Sequence, residues 1–314
     1  MRKKTKTEKL PSLTRRKPSY KRYWQLYVMM ALPIIYFILF KYMPMFGNIL
    51  AFRKHKLGMS PFGTEWAGLR YFKYFLKDPA FWNAFKNTLI LSATNLLVNF
   101  PIPVIFALLL NELSNVKYKK VVQTVTYMPR FVSTVVVISM LSEILSPSSG
   151  IVNRFLENTF GMDPIYFMNE AKYFRVLYIL TDTWQFTGWT SIVYLAAITG
   201  VNPELYEAAY IDGANRFKQV WHVTIPCILP TVMVMFILKV GHLLTLGFEK
   251  VLLMYTPQNS VVSDIIDTFV YRAGIQNHSY SYATAVGLFG GIIGIILVAS
   301  ANAASRKLTG ESIY

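Results

Sequence analysis

The stretch EAAYIDGANRFKQVWHVTIPCILP, residues 207–230, decides the reading of this chain, because it is a polar segment rich in helix-capping chemistry set between two membrane-length apolar runs. Just ahead of it, Asn202 suits an N-cap, Pro203 a first helical turn, and Glu204 and Glu207 the electropositive amino-terminal end. Gly213 supplies a left-handed stop. Ala208 and Ala209 add no bulk, so another surface could approach this helix backbone closely. A capped surface helix linking two spans is the plain expectation; a loop shaped to dock a partner is the sharper one.

Composition places the rest. Of 314 residues, 54% are hydrophobic and only 15% charged, and the mean hydropathy is positive, which excludes an ordinary soluble core and points to a polytopic membrane protein. A spanning helix needs about 20 apolar residues. Suitable runs fall near 24–40, 88–110, 121–145, 176–199, 226–246 and 282–301. The fold class expected is therefore all-α, with six transmembrane helices over 23–314, a basic tail over 1–22, an external loop over 42–83 and a cytoplasmic loop over 201–225.

Orientation follows from the basic residues. Arg2, Lys3, Lys4, Lys6, Lys9, Arg15, Arg16, Lys17, Lys21 and Arg22 precede the first run, and Lys117, Lys119 and Lys120 crowd a short loop. Such segments stay in the cytoplasm, which puts both termini and the 201–225 loop inside. The net charge of +16 is accounted for by this pattern without nucleic acid, since the basic tail has a single aromatic residue, Tyr20, and no repeated aromatic-basic interleave. The apolar run after the tail is long and aromatic and lacks a small-residue cleavage pattern, so no cleaved signal is expected.

Eight residues of the 207–230 stretch form a spaced pattern. Glu207-Ala208-Ala209, then three residues, Gly213, nine residues, and Val223-Thr224-Ile225-Pro226 resemble the EAA signature of ATP-binding-cassette importer permeases, with conservative departures at Val223 and Ile225. The resemblance implies a type I importer permease fold. It also implies that Glu207, Ala208, Ala209, Asp212 and Gly213 form a coupling helix that enters a groove of a cytoplasmic ATPase. Partners implied with it are a second permease subunit in a heterodimer, two ATP-binding subunits that hold ATP and Mg, and an extracellular solute-binding protein. Trp66, Gly68, Leu69, Phe72, Phe81, Trp82 and Asn87 are similar in order to the stretch before the second helix of carbohydrate-uptake permeases. The cargo implied is an oligosaccharide from a complex polysaccharide, such as an aldouronate, rhamnogalacturonan or alginate fragment, with a disaccharide or glycerol phosphate as the alternative. From the residues alone, those aromatic side chains read as an interfacial belt, with Pro79 opening a short helix along the membrane surface.

Ionisable groups inside spans are costly and mark candidate pathways. Asp182 and Lys239 both fall in the outer third of the bilayer, and an ion pair between them is the expectation. Tyr178, Asp182, Gln185 and Trp189 share one helical face at i, i+4, i+7 and i+11, an aromatic plate with hydrogen-bonding neighbours suited to a sugar. His242 lies one turn beyond Lys239. Packing between helices, with the charges neutralising each other, explains the same residues. Arg130 after Pro129, and Glu143, are further candidates. Small residues at 283, 285, 287, 290, 291 and 294, with Gly287 and Gly291 four apart, predict close helix packing, within the chain or against a partner.

Other chemistries find no support in the sequence. Cys227 is alone, the histidines at 55, 222, 242 and 278 lack ligand spacing, and no G-x-x-x-x-G-K-[ST] loop occurs, so neither a metal, a cofactor, a catalytic residue nor an ATPase site is expected. A secondary transporter would show repeats and broken helices in matching halves. An enzyme acting on lipid-linked sugar would need paired carboxylates or a metal cluster at the membrane face.

Overall fold

Each of the long apolar runs is helical in the computed structural model, which describes residues 23–309 apart from 57, 59 and 61; the basic tail expected over 1–22 lies outside them. Helix is the physical solution for such runs, because in lipid each backbone N–H and C=O must find its partner within the segment. The first unit, up to Asn48, is built on α1 (Trp24–Phe37) and a π turn (Ile38–Tyr42). A 3-10 turn over Met43–Phe52 extends the helical run to 29 residues, so the loop expected from 42 starts later than predicted.

The second unit, from Ile49 onward, carries the remaining helices. They are α2 (Arg70–Phe75), α3 (Pro79–Asn99), α4 (Pro101–Asn111), α5 (Val116–Tyr127), α6 (Thr134–Ile144), α7 (Ile151–Phe160) and α8 (Ala171–Thr199). After α9 (Pro203–Ile211) and α10 (Arg216–Gln219), a π turn over Val220–Thr224 leads into α11 (Ile225–Gly241). The short α12 (Phe248–Met254), α13 (Ser260–Ser263) and α14 (Ile266–Tyr271) precede the 30-residue α15 (Tyr280–Thr309). Strand pairing among the described residues is limited to one isolated bridge, Arg53 with Trp66.

Among the described residues, four helical runs are long and apolar enough to cross a membrane: Trp24–Phe52, Pro79–Asn111, Arg216–Gly241 and Tyr280–Lys307. A fifth is obtained if Val116–Phe131 and Thr134–Ile144 count as one span, bent by 99°. Six were expected. The missing one is α8, which is long enough at 29 residues, but Thr181, Asp182, Thr183, Gln185, Thr187, Thr190 and Ser191 dilute its apolar content. Those polar groups are tolerated where they face other helices instead of lipid.

The bend and the second span each correct an expectation. Pro129 sits in a 3-10 turn, Val132 is extended, and Ser133 restarts the helix by accepting from Val136 N, so the 121–145 run folds as two half-length helices. Pro79 does not open a short surface helix. With Asp78 as N-cap accepting from Ala80 N, it begins α3 itself, 21 residues long, and α2 is the short helix instead. Nor do the aromatic residues form only an interfacial belt. Phe75 and Phe81 are fully buried with ring centroids 4.7 Å apart, and Phe289 of α15 packs on both, alongside Ile266 and Val286.

A second core, of Leu91, Ile138, Phe174, Ile179, Val251 and Met254, joins α3, α6, α8 and α12. A third unites Ala107, Tyr194, Ile198 and Ile228 from α4, α8 and α11. Helix α8 belongs to both, and at Gly188 it approaches α5 so closely that a Cβ would overlap the carbonyl of Thr126. Gly287, Gly290, Gly291 and Gly294 behave differently: beyond its own helix, a Cβ on any of them meets no atom of the described residues within 4 Å, so the packing expected at Gly287 and Gly291 is not made among them.

Candidate functional site

Helix α8 places its polar residues on a cavity of about 340 Å³ whose other walls come from α3, α11 and the segment leading into α12. Tyr178, Asp182, Gln185, Lys239 and His242 all line it. A smaller cavity of about 230 Å³ adjoins it, sharing Asp182, Phe186, Thr190, Lys239 and His242. Trp189 lines neither; it is half-exposed and its ring meets Phe131 edge-on at 5.7 Å. Eleven residues are about three full turns, so Trp189 keeps close to the Tyr178 direction but lies roughly 16 Å further along α8, where its ring packs on Phe131.

The ion pair of Asp182 is also different from the one expected. Its partner is Lys250 of α12, with Nζ 3.4 Å from Oδ1, while Lys239 makes no ion pair among the described residues. Lys250 is buried. Its ammonium also donates to the Tyr178 carbonyl at 3.1 Å and stands 4.6 Å from the centre of the Tyr178 ring. On the other side, Asn95 and Asn99 of α3 donate to Asp182 Oδ2 at 2.9 and 3.2 Å, and Thr183 donates to the Asn99 side-chain carbonyl. Charge-assisted bonds of this kind stabilise a carboxylate that would otherwise be costly to bury. Three helices thus converge on one oxygen pair.

Gln185 does two things at this site. Its Nε2 donates at 2.9 Å to the Val132 carbonyl, which the 99° bend has freed from the helical ladder. Its Oε1 is buried with no partner among the described residues. Arg130 lies with its guanidinium 5.1 Å from the Phe186 ring, a cavity wall, and Glu143 accepts from Ser149 outside the cavity. His242 closes α11, with Thr245 Oγ1 3.4 Å from its Nδ1.

Asn95, Asn99 and Lys250 were not among the expected residues. The two amides are four residues apart inside an apolar run, which is the signal that would have found them. Lys250 follows the fifth span in a mixed segment and offered no comparable signal.

At the opposite end of α11, the 201–225 loop is held by local bonds. Asn202 accepts from Glu204 N at 3.1 Å, and Asn215 accepts from Lys218 N at 2.9 Å to start α10. Gly213, at φ +76°, ends α9: Gly213 N donates to Tyr210 O and Ala214 N to Ala209 O, the paired bonds of a Schellman stop. Glu207, Ala208 and Asp212 are exposed, Ala209 half-buried, and large apolar side chains flank them, with Tyr210 76%, Ile211 83% and Phe217 75% exposed. Tyr206 and Thr224 hydroxyls lie 2.9 Å apart and tie α9 to the π turn below α11. Arg216 Nη1 reaches Glu112 at 3.6 Å, beyond the end of α4.

A helical bundle apolar enough to span a membrane, with a polar cavity among its helices and an exposed, capped loop at one end, has the build of a transport permease. Residues 100–310 match the binding-protein-dependent transport system inner membrane component family, and the chain belongs to it. It is thus a multi-pass membrane subunit of a binding-protein-dependent transporter and not the ATPase subunit. Among curated relatives, it is 45% identical over 289 residues to the polygalacturonan/rhamnogalacturonan transport system permease of Bacillus subtilis (strain 168), covering 92% of this chain and 90% of that protein. Protein LplB of the same organism is 42% identical over 92% of this chain and 91% of its own. Of solved structures, a bacterial ABC transporter involved in import of the acidic polysaccharide alginate has a chain superposing with TM-score 0.84 at 41% identity, over 92% of this chain and 98% of that one. The same kind of transporter, in complex with an alginate pentasaccharide-bound periplasmic protein, gives TM-score 0.85 at 40% identity, over 94% and 98%.

Proposed function

We propose that this chain is one of two membrane subunits of an ATP-driven importer of oligosaccharides released from acidic polysaccharides. Both termini and the 201–225 loop face the cytoplasm, and the 53–69 segment lies outside. The loop is the coupling element: Glu207, Ala208, Ala209, Asp212 and Gly213 seat against an ATP-binding subunit, which holds ATP and Mg, and this chain contributes no cofactor site or catalytic residue of its own. An external solute-binding protein delivers the cargo.

The observation that carries the reading is the central cavity, where Asp182 is ion-paired with Lys250 and accepts from two amides while Lys239 makes no ion pair among the described residues. A lining with the carboxylates of Asp182 and Glu249, a glutamine, a tyrosine ring and the Lys239 amine, which has no ion-pair partner among the described residues, can meet hydroxyls, a pyranose face and a uronate carboxylate. Names of relatives that carry polygalacturonan, rhamnogalacturonan and alginate support an acidic sugar as cargo. A hydrogen bond between Tyr206 and Thr224 and the continuous helix from the π turn into α11 give the force of nucleotide-driven closure a route to Lys239 and His242 at the far end of that helix.

Uptake of labelled oligogalacturonide by the assembled transporter in proteoliposomes tests both halves. Lys239→Met should abolish uptake of the acidic cargo and leave ATP hydrolysis stimulated by loaded binding protein. Glu207→Ala and Gly213→Val should remove uptake and stimulation together, with the subunit still inserted and assembled. Normal uptake in the Lys239 variant sinks the cavity assignment, and normal uptake in both loop variants sinks the coupling assignment.

A further inference from the structure

A separate polar cavity of about 500 Å³ opens at the end of the bundle where α3 and α15 begin. That end is remote from the coupling loop, since the helical run from Pro79 takes 33 residues to reach Asn111, beside the Glu112 that meets Arg216. Tyr71 and Tyr74 of α2, Tyr282 of α15, Asp78, Asn277 and His278 form its working surface.

The surface is fixed in place. Tyr282 donates its hydroxyl proton to Asp78 Oδ2 at 2.8 Å, while Asp78 Oδ1 caps α3 by accepting from Ala80 N, so the carboxylate is immobile yet keeps lone pairs for further donors. Arg70 holds Tyr74 twice, donating to its hydroxyl at 2.6 Å and lying 5.2 Å from its ring centre. The turn bearing His278 is closed by Asn277 N donating to Arg272 O and Ser279 N to Ala273 O, both at 2.9 Å. His278 has φ +54°, the one positive value on a non-glycine residue among those described. Backbone held in a sparsely populated region points to a position that the surroundings dictate for a purpose.

Flat aromatic faces beside a fixed carboxylate, an amide and hydroxyls suit a sugar ring, whose C–H face stacks while its vicinal hydroxyls donate and accept. A lipid phosphate fits poorly. No Lys or Arg lines the cavity among the described residues, and Asp78 within it repels an anion.

We propose that this cavity is a sugar subsite distinct from the central one, which receives an uncharged pyranose unit of the oligosaccharide through its C–H face and hydroxyls, on the bundle end that first meets incoming cargo. It rests on the reading that the cargo is an oligosaccharide, but not on which central residues carry it.

The test is sugar binding by the complete transporter in nanodiscs without its solute-binding protein, titrated with a rhamnogalacturonan tetrasaccharide in a calorimeter. Unaltered transporter should bind one equivalent that Lys239→Met does not remove. Tyr74→Ala combined with Asn277→Ala should weaken that equivalent by about tenfold or more, and Tyr74→Phe should retain it because the stacking face survives. An isotherm unchanged by Tyr74→Ala with Asn277→Ala overturns the subsite, as does absence of any equivalent persisting in Lys239→Met, or its displacement on doping the discs with phosphatidylglycerol. Uptake of acidic cargo by Lys239→Met separates the two readings: normal uptake with the equivalent still sensitive to Tyr74 and Asn277 overturns the central assignment and leaves this one standing.

Discussion

The coupling loop and the central cavity are both polar structures in an apolar chain, yet they are specified in opposite ways. Every bond that shapes the loop's turns spans five residues or fewer, as from Asn202 to Glu204 or Ala209 to Ala214. The bonds that shape the cavity join Asp182 to residues 68, 83 and 87 positions away. A local structure survives transfer to a different surface, whereas a convergent one exists only while three helices keep their relative positions. The loop is therefore built as a transferable contact and the cavity as a gauge of the bundle's conformation.

The largest effect that would sharpen this contrast is at Asp182. Asp182→Ala leaves Lys250 buried without its counter-charge and should cost about 3–5 kcal/mol in thermal unfolding of the assembled transporter, with part of it recovered by adding Lys250→Met. Equal losses in the single and double variants would mean that the pair is not what holds the helices together. Next comes Gly188→Ala, where the added methyl overlaps the Thr126 backbone and should cost roughly 1–3 kcal/mol by pushing α5 from α8. A neutral result in the same melt would show that α8 slides freely there.

The loop should respond weakly in stability. Asn202→Ala removes one cap and should cost about 1 kcal/mol. Circular dichroism of the purified subunit should show the bundle intact, and a melt as depressed as that of Asp182→Ala would erase the distinction between the regions.

The smallest effect is a pH dependence outside the spans. Burial pushes the Asp267 carboxyl from its ordinary 3.8 up to about 6, so the folded state holds a proton that the unfolded chain releases between those values. The stabilisation is complete below 3.8 and lost as pH rises through 6, because above it the charged form is buried at a cost. Asp267→Asn should be more stable than the parent at pH 7 and should lack this dependence; parallel pH curves for the two would remove the residue from consideration.

How much could be read from the chain follows the same divide. Asn202, Pro203 and Gly213 announce the ends of α9 because capping chemistry is local. Face spacing brought Tyr178, Asp182 and Gln185 together but carried Trp189 along, since a shared helical face says nothing of how far along the helix the cavity reaches. Choice of Lys239 over Lys250 as the partner of Asp182 failed for a deeper reason: depth along a helix says how high a charge sits, not which way its helix is rotated. Pro79 misled because proline suits the first turn of a long helix as well as a short one.

One feature of α15 has a practical side. At Gly287, Gly290, Gly291 and Gly294 an added methyl meets nothing among the described residues beyond its own helix. Alanine at these four sites therefore brings the lone subunit only the helix-propensity gain of alanine over glycine, about 1 kcal/mol each: any penalty that emerges after reconstitution originates in neighbours, whether bilayer or companion protein, and the four readings together would trace the outline of whatever presses there.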